Sequence, residues 1–167
     1  MLLKVIVLAG GCFWGTEHFF RQIDGVTETQ VGYANGQLSN PTYRQVCTGT
    51  TGHAEAVRVT YDAERLPLEK LIACYLKTVD PTAVNRQGND VGPQYRTGIY
   101  SLSAEDKAVV DKALKDLEKR LGRRVAIESE PLAAFWPAET YHQRYLEKNP
   151  GGYCHIPPDL FEWAAEQ

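Results

Sequence analysis

Between Leu3 and Ile23 the chain changes its hydrophobic period once, across Gly10-Gly11-Cys12. Leu3 to Ala9 is short, branched and apolar, the pattern of a buried strand. Beyond the glycines, Thr16, Phe19, Phe20 and Ile23 recur at helical spacing, which predicts a helix from about Trp14 to a stop before Gly25. A buried strand that turns through two glycines into an amphipathic helix is built to lay that helix on its own sheet. The junction holds one cysteine, Cys12, with Phe13 and Trp14 directly behind it.

The same reading extends along the chain. Val26 to Tyr33 and Ala54 to Tyr61 read as strands, separated by a long loop, Ala34 to His53, rich in turn signals. Leu68, Leu71, Ile72, Tyr75, Leu76 and Val79 define a second helix that Asp80-Pro81 ends, and Arg96 to Ser101 is a fourth strand. A third helix carries Val110, Ala113, Leu114, Leu117 and Leu121, with Ser103 as its N-cap and Gly122 as its C-cap. Val125 to Glu128 adds a strand, Tyr141 to Lys148 a last short helix, and Asn149-Pro150-Gly151-Gly152 opens an irregular C-terminal tail. Strand, helix, strand, strand, helix, strand is the order of the split βαβ unit, so the expected fold is α+β, a ferredoxin-like two-layer sandwich. With 167 residues and neither repeat nor linker, one domain over 1–167 is expected, its tail flexible from about 149.

Composition excludes several classes of function. A formal net charge of -3 leaves no basic footprint for nucleic acid. The apolar run after Lys4 covers only Val5 to Ala9, shorter than the ~7–15 residues of a signal core, so Cys12 is not read as a lipid-attachment site. No stretch has the length of a membrane span. A cytoplasmic monomer is expected, in a compartment where thiols stay reduced and a cysteine is catalytic, metal-binding or inert more often than structural. Cys12, Cys47, Cys74 and Cys154 make no C-x-x-C pair, and the histidines complete no H-E-x-x-H, so no metal site is expected. Gly10-Gly11 completes no phosphate-binding pattern either.

Two residues carry the chemical argument. Cys12 lies where unpaired backbone N–H groups and a helix dipole favour an anion, which predicts a lowered thiol pKa. The alternative is a small apolar side chain in a tight turn. Phe13 and Trp14 favour a pocket for a methyl or thioether group, which would use both as walls. Glu55 shares the apolar face of its strand with Val57, Val59 and Tyr61. Either it reaches solvent at the strand end, or it is desolvated and stays protonated near neutrality, able to give a proton to a substrate oxygen. Tyr43 and Tyr95 are hydroxyl donors that spacing alone does not single out, and Asp90 alone reads as a turn residue. His53 reads as a loop-positioning residue, His18 as solvent-facing, and Cys74 as inert packing.

The stretches G-G-C-F-W-G-T-E, then N-P-T-Y-R-Q-V-C-T-G-T-T-G-H-A-E-A-V-R-V-T-Y-D, then N-R-Q-G-N-D-V-G-P-Q-Y-R-T-G-I-Y, resemble the peptide methionine sulfoxide reductases of the A type. The resemblance runs from Val5 to about Cys154. It implies that Cys12 is the nucleophile on the sulfoxide sulfur, Glu55 the acid for the oxygen, Tyr43 and Tyr95 hydroxyls on that oxygen, and Asp90 a supporting polar residue. Phe13 and Trp14 match the wall for the S-methyl group, and Cys154, in N-P-G-G-Y-C-H, the recycling cysteine.

The implied cycle turns methionine S-sulfoxide, free or within a peptide or protein, into methionine and leaves a sulfenic acid on Cys12. Condensation with Cys154 gives a disulfide that a dithiol such as thioredoxin reduces, without metal or organic cofactor. Many relatives carry a second recycling cysteine in a longer tail. This chain ends at Gln167 without one, so thioredoxin is expected to meet a Cys12–Cys154 bridge directly, with Cys47 as a rival resolving thiol. The competing readings are a thiol peroxidase, a cysteine hydrolase, for which His18 is a badly placed base, and a non-catalytic module that binds oxidised methionine.

Overall fold

The computed structural model describes residues 1–167. β1 (Leu3–Gly10) leads into α1 (Phe13–Arg21), followed by β2 (Val26–Ala34), α2 (Tyr43–Cys47), β3 (Ala54–Asp62) and α3 (Leu68–Leu76). A small hairpin, β4 (Arg86–Gln87) and β5 (Asp90–Val91), and a 3-10 turn at Pro93–Tyr95 precede β6 (Thr97–Ser101), α4 (Ala104–Leu121) and β7 (Glu128–Pro131). β8 (Phe135–Pro137), a second 3-10 turn at Thr140–His142, α5 (Tyr145–Lys148) and α6 (Pro158–Ala165) follow. No helix is long and apolar enough to cross a membrane.

The main sheet has the order β7-β6-β1-β3-β2-β8. Its four central strands, β6-β1-β3-β2, are each antiparallel to their neighbours, the ferredoxin-like order expected of the split βαβ pattern. β7 extends one edge in parallel and β8 the other antiparallel. One face buries Ile6, Leu8, Val31, Val57, Val59 and Tyr61 against Phe19 and Phe20 of α1, Leu71 and Tyr75 of α3 and Val110 of α4. The other face is built of smaller residues, Val7, Ala9, Ala34, Ala54 and Ala56 around Tyr100, and is covered by Leu132 and Phe135. Small side chains on that face let an extended segment, rather than a helix, lie close to the sheet.

Ser103 caps α4 by accepting from the Asp106 N–H at 3.1 Å, and Gly122 ends it in the left-handed region at φ 68°. Each such cap contributes on the order of 1 kcal/mol. Besides the β4–β5 hairpin and the break at Arg144, φ 54°, of the helix expected over Tyr141 to Lys148, four elements depart from the sequence reading. The loop 34–53 contains α2, started by a capping box in which Thr42 and Gln45 satisfy each other's backbone N–H groups. β7 begins at Glu128 rather than Val125, because the Val125 and Ala126 N–H groups are already held by the Glu118 carboxylate and the Pro81 carbonyl. β8 is an added strand, pairing Trp136 with Tyr33; its Phe135 ring lies over Gly32, where any Cβ would collide with it.

The fourth departure is α6, where an irregular tail is expected. Pro158 stands in its first turn, where a missing N–H costs nothing, and Ala164 is buried against α1. The helix also corrects the placement of His18, which is half-buried under it with its ring edge-on to Phe161 at 4.6 Å. A second layer over α1, contributed from far along the chain, turns the outer side of that helix into an interface.

Candidate active site

One end of the sheet gathers the chemistry. β1 finishes at Gly10, paired with Thr97 of β6, while β3 starts at Ala54 and sets Glu55 opposite Tyr33 of β2. Tyr75 of α3 ties α3 to the end of β1 through a 2.6 Å bond from its hydroxyl to the Ala9 carbonyl. Gly11 makes the corner at φ 88°, and a Cβ there would stand 2.8 Å from Gln87 Cβ, so the turn excludes larger residues twice over. Cys12 is the N-cap residue of α1 and is buried.

Glu55 is buried on the apolar face of β3, and its Oε1 accepts the Phe13 N–H of α1 at 3.2 Å. Its Oε2 is buried without a partner. Burial raises the carboxyl to about 8, with the Phe13 N–H opposing and Asp90 adding to the rise. The thiol of Cys12 departs from expectation. Burial and then Glu55 push its pKa upward, and the Trp14 N–H at the helix start opposes them without winning. Desolvation exceeds the helix terminus here because Cys12 is only 7% exposed. Burial thus pushes both groups toward their neutral forms.

Tyr43 opens α2 and Tyr95 closes the 3-10 turn before β6, and both rings are half-buried. Burial, followed by the nearby Glu55, raises both phenols, so both keep their protons as donors. Cys12 and Asp90 also act on Tyr95, and Asp90 on Cys12 and Glu55, so these four lie within electrostatic reach of one another, with Tyr43 joined to them through Glu55 and Tyr95. Asp90 accepts the Tyr153 hydroxyl at 2.9 Å, tying the hairpin to the residue before Cys154.

Phe13 is fully buried, with ring centroids 5.8 Å from Tyr33, 6.3 Å from Tyr43 and 5.2 Å from His142. Trp14 stacks on Tyr145 at 3.7 Å and donates its indole N–H to His142 Nδ1 at 3.0 Å. His142 is itself buried, and burial lowers its pKa, which keeps the ring a neutral acceptor. Glu139 accepts the Tyr33 hydroxyl at 2.7 Å and the Tyr43 N–H at 3.0 Å, anchoring α2. Beneath Trp14, buried Glu17 accepts the Thr29 hydroxyl at 2.8 Å and the Arg144 N–H at 2.7 Å. It thereby holds the left-handed turn at Arg144, φ 54°, that sets His142 and Tyr145 around the indole.

Cys154 is half-buried beside α1: a Cβ on Gly15 would lie 3.0 Å from its Sγ. Its other side faces a groove of about 520 Å³ that includes Leu146, Pro150, Ile156 and Phe161 in its wall. Cys47 is exposed on α2, one turn beyond Tyr43. Cys74 is buried within α3, and His53 is buried with its ring bonded to the Thr51 hydroxyl at 2.9 Å, part of a loop rather than of the thiol cluster. Sequence reasoning missed His142, Tyr145, Tyr153, Glu139 and Glu17. For His142, Tyr145 and Tyr153 the legible sign is aromatic density between Tyr141 and Tyr153, whereas Glu17 and Glu139 carry none.

Comparison with known proteins identifies the family. The family model described as "Peptide methionine sulfoxide reductase" matches residues 4–166. The peptide methionine sulfoxide reductase MsrA of Lachnoclostridium phytofermentans is 52% identical over 161 residues, covering 96% of this chain and 97% of the relative. The reduced form of Mxr1 from Saccharomyces cerevisiae superposes with a TM-score of 0.89 at 38% identity, over 93% of this chain and 92% of that one. Mxr1 in complex with Trx2 is similar at a TM-score of 0.62 and 27% identity, over 86% of this chain and 85% of that one. A match of this extent leaves only a few terminal residues outside the shared framework, and the chain belongs to the peptide methionine sulfoxide reductase family of oxidoreductases.

Proposed function

We propose that residues 1–167 act as one catalytic domain that reduces the S epimer of methionine sulfoxide, free or in peptides and proteins, through Cys12. The observation that carries this reading is the bare Oε2 of a protonated Glu55, held beside a buried thiol by the Phe13 N–H. In the first step the Cys12 sulfur bonds to the sulfoxide sulfur while Glu55 gives its proton to the sulfoxide oxygen. The freed carboxylate takes the thiol proton. The S–O bond and the new bond between the two sulfurs then break as the hydroxyl passes to Cys12, giving methionine and a sulfenic acid, so that thiol and sulfoxide account for every atom. Tyr43 and Tyr95 donate to the oxygen, Asp90 supports the site from the hairpin, and the ring of Trp14 with Phe13 receives the methyl group. Those three directions around a stereogenic sulfur admit one epimer.

Cys154 is the resolving thiol in this reading. It condenses with the sulfenic acid, and the resulting disulfide is reduced by thioredoxin, a role supported by the complex that the related Mxr1 forms with Trx2. The groove behind Cys154 gives the tail room to move. Separated S and R epimers incubated with the protein and dithiothreitol test the reading, with methionine as the readout. Conversion of the S epimer alone is expected; equal rates on both would sink the stereochemical assignment. Cys12→Ser is expected to abolish the first turnover. Cys154→Ser is expected to release about one methionine per enzyme and then stall with thioredoxin.

A further inference from the structure

His155, the residue after Cys154, has no part in the steps above. Its ring lies in a slot walled by glycine. A Cβ on Gly11 would stand 3.1 Å from its Nε2, one on Gly15 3.2 Å from its Nδ1, and one on Gly88 3.7 Å from its Cβ. Nε2 lies 2.8 Å from the Gly10 carbonyl oxygen. A carbonyl only accepts, so Nε2 carries the ring proton and Nδ1 is left with a free lone pair. Nδ1 is buried and unpartnered. A buried acceptor with no donor is unfavourable, and the donor that could meet it is close by. The same missing Cβ of Gly15 is 3.0 Å from Cys154 Sγ, so Sγ and Nδ1 lie no more than about 6 Å apart, a gap that a turn of the cysteine side chain or one water closes.

We infer that His155 is the base of the resolving step, its Nδ1 taking the Cys154 thiol proton as the Cys154 sulfur bonds to the sulfur of the Cys12 sulfenic acid. The S–S bond forms as the S–O bond breaks, Cys154 is oxidised and Cys12 reduced, and the proton leaves with the departing hydroxide as water. No outside oxidant or reductant enters. The inference rests on Cys154 being the resolving thiol. Burial holds the Cys154 thiol above the usual range, with the Ile156 N–H opposing, so an unaided thiol is slow to ionise. Burial also lowers His155, with the Gly10 bond and Asp90 opposing, which leaves the ring neutral and able to accept. Asp90, from the hairpin, is the charged group whose field raises the ring's pKa and steadies the imidazolium. The thiols of Cys154 and Cys12 are the neighbouring titratable groups along the chain on either side of the slot.

His155→Gln separates this role from anchoring, since the amide N–H can still reach the Gly10 carbonyl but offers no basic nitrogen. Reduced enzyme is mixed with one equivalent of methionine sulfoxide and quenched in acid, and methionine and the Cys12–Cys154 disulfide are measured. Methionine release is expected within about twofold of wild type, whereas disulfide formation at pH 7 slows by about 10²-fold. The residual rate is expected to rise tenfold per pH unit, while the wild-type rate is flat above about pH 6.5. Wild-type disulfide rates in the variant, or a slowing equal at every pH, overturn the inference and leave Cys154 in place. So does a wild-type rate that climbs tenfold per unit from pH 6 to 8, which needs no variant. Absence of any Cys12–Cys154 linkage in the wild type overturns the resolving assignment itself, and His155 with it.

Discussion

The backbone N–H of Phe13 and the carboxyl of Glu55 meet at 3.2 Å, joining the first turn of α1 to the first residues of β3. The bond fixes one oxygen of the acid and thereby aims the other. It also means that Phe13 and Glu55, the proposed methyl wall and proton donor, are set by a single contact. A shift of either element moves both.

Glu55→Gln tests the acid. The amide keeps the shape and can still accept from Phe13, but it has no proton to give. Single-turnover methionine release is expected to fall by about 10²–10⁴-fold, the range for loss of a general acid. In the wild type the same rate is expected to decline as pH rises through about 8, where Glu55 ionises. The variant should lack that limb, and a rate that is pH-independent from 6 to 9 in both proteins would assign the carboxyl a structural role.

The same substitution has a signature in stability. The Glu55 carboxyl loses its proton near 4.5 when unfolded and near 8 when folded. Between those values the unfolded state binds fewer protons, so rising pH lowers the stability of the wild type. Nothing is lost below the unfolded value, and the loss is complete above the folded one, a few kcal/mol at about 1.4 per unit of pKa. Urea unfolding of Glu55→Gln and wild type at pH 5 and pH 9 should therefore diverge, with the variant gaining on the wild type at the higher pH. A constant difference would contradict the raised carboxyl.

Tyr145 supports Trp14 by a stack at 3.7 Å without touching the thiol. Tyr145→Ala frees the indole on one face, and an aromatic pair contributes about 0.5–1.5 kcal/mol beyond its area. KM for a peptide sulfoxide is expected to rise by about three- to tenfold, with the rate at saturation little changed. A fall in kcat alone would argue that Trp14 takes part in the chemical step rather than in holding substrate.

Glu17 offers a test far from the thiol. Glu17→Ala removes the acceptor of the buried Thr29 hydroxyl and of the part-buried Arg144 N–H, and a loss of about 1–3 kcal/mol is expected in chemical denaturation. Glu17→Gln should recover part of it. An exposed-site effect below half a kilocalorie would show that the Arg144 turn holds without this residue.

The ferredoxin-like order was legible because each strand and helix of the central unit carries its own period, from Leu3–Ala9 through the caps at Ser103 and Gly122. Glu55 stood out for the same reason, as a carboxylate on an alternating apolar face. Periodicity is silent about elements held by other elements. β8 exists because Phe135 fills the space above Gly32, and α6 because Ala164 and Phe161 find α1 already in place. His142 and Tyr145 reach the site through a turn set by Glu17, a contact spanning more than a hundred residues. The ionisation of Cys12 was misjudged on similar grounds: its helix terminus is local, while its desolvation comes from the whole fold.

The suppressed ionisation of Cys12 has a further consequence wherever the reductase meets peroxide. Peroxides react with thiolates, and a thiol that burial and a neighbouring acid keep neutral offers them little to attack. A sulfoxide brings its own basic oxygen to Glu55 and draws the proton from the pair as it binds. In the proposed reaction the substrate thus switches on the sulfur that reduces it, and between turnovers a neutral thiol gives peroxide little to attack.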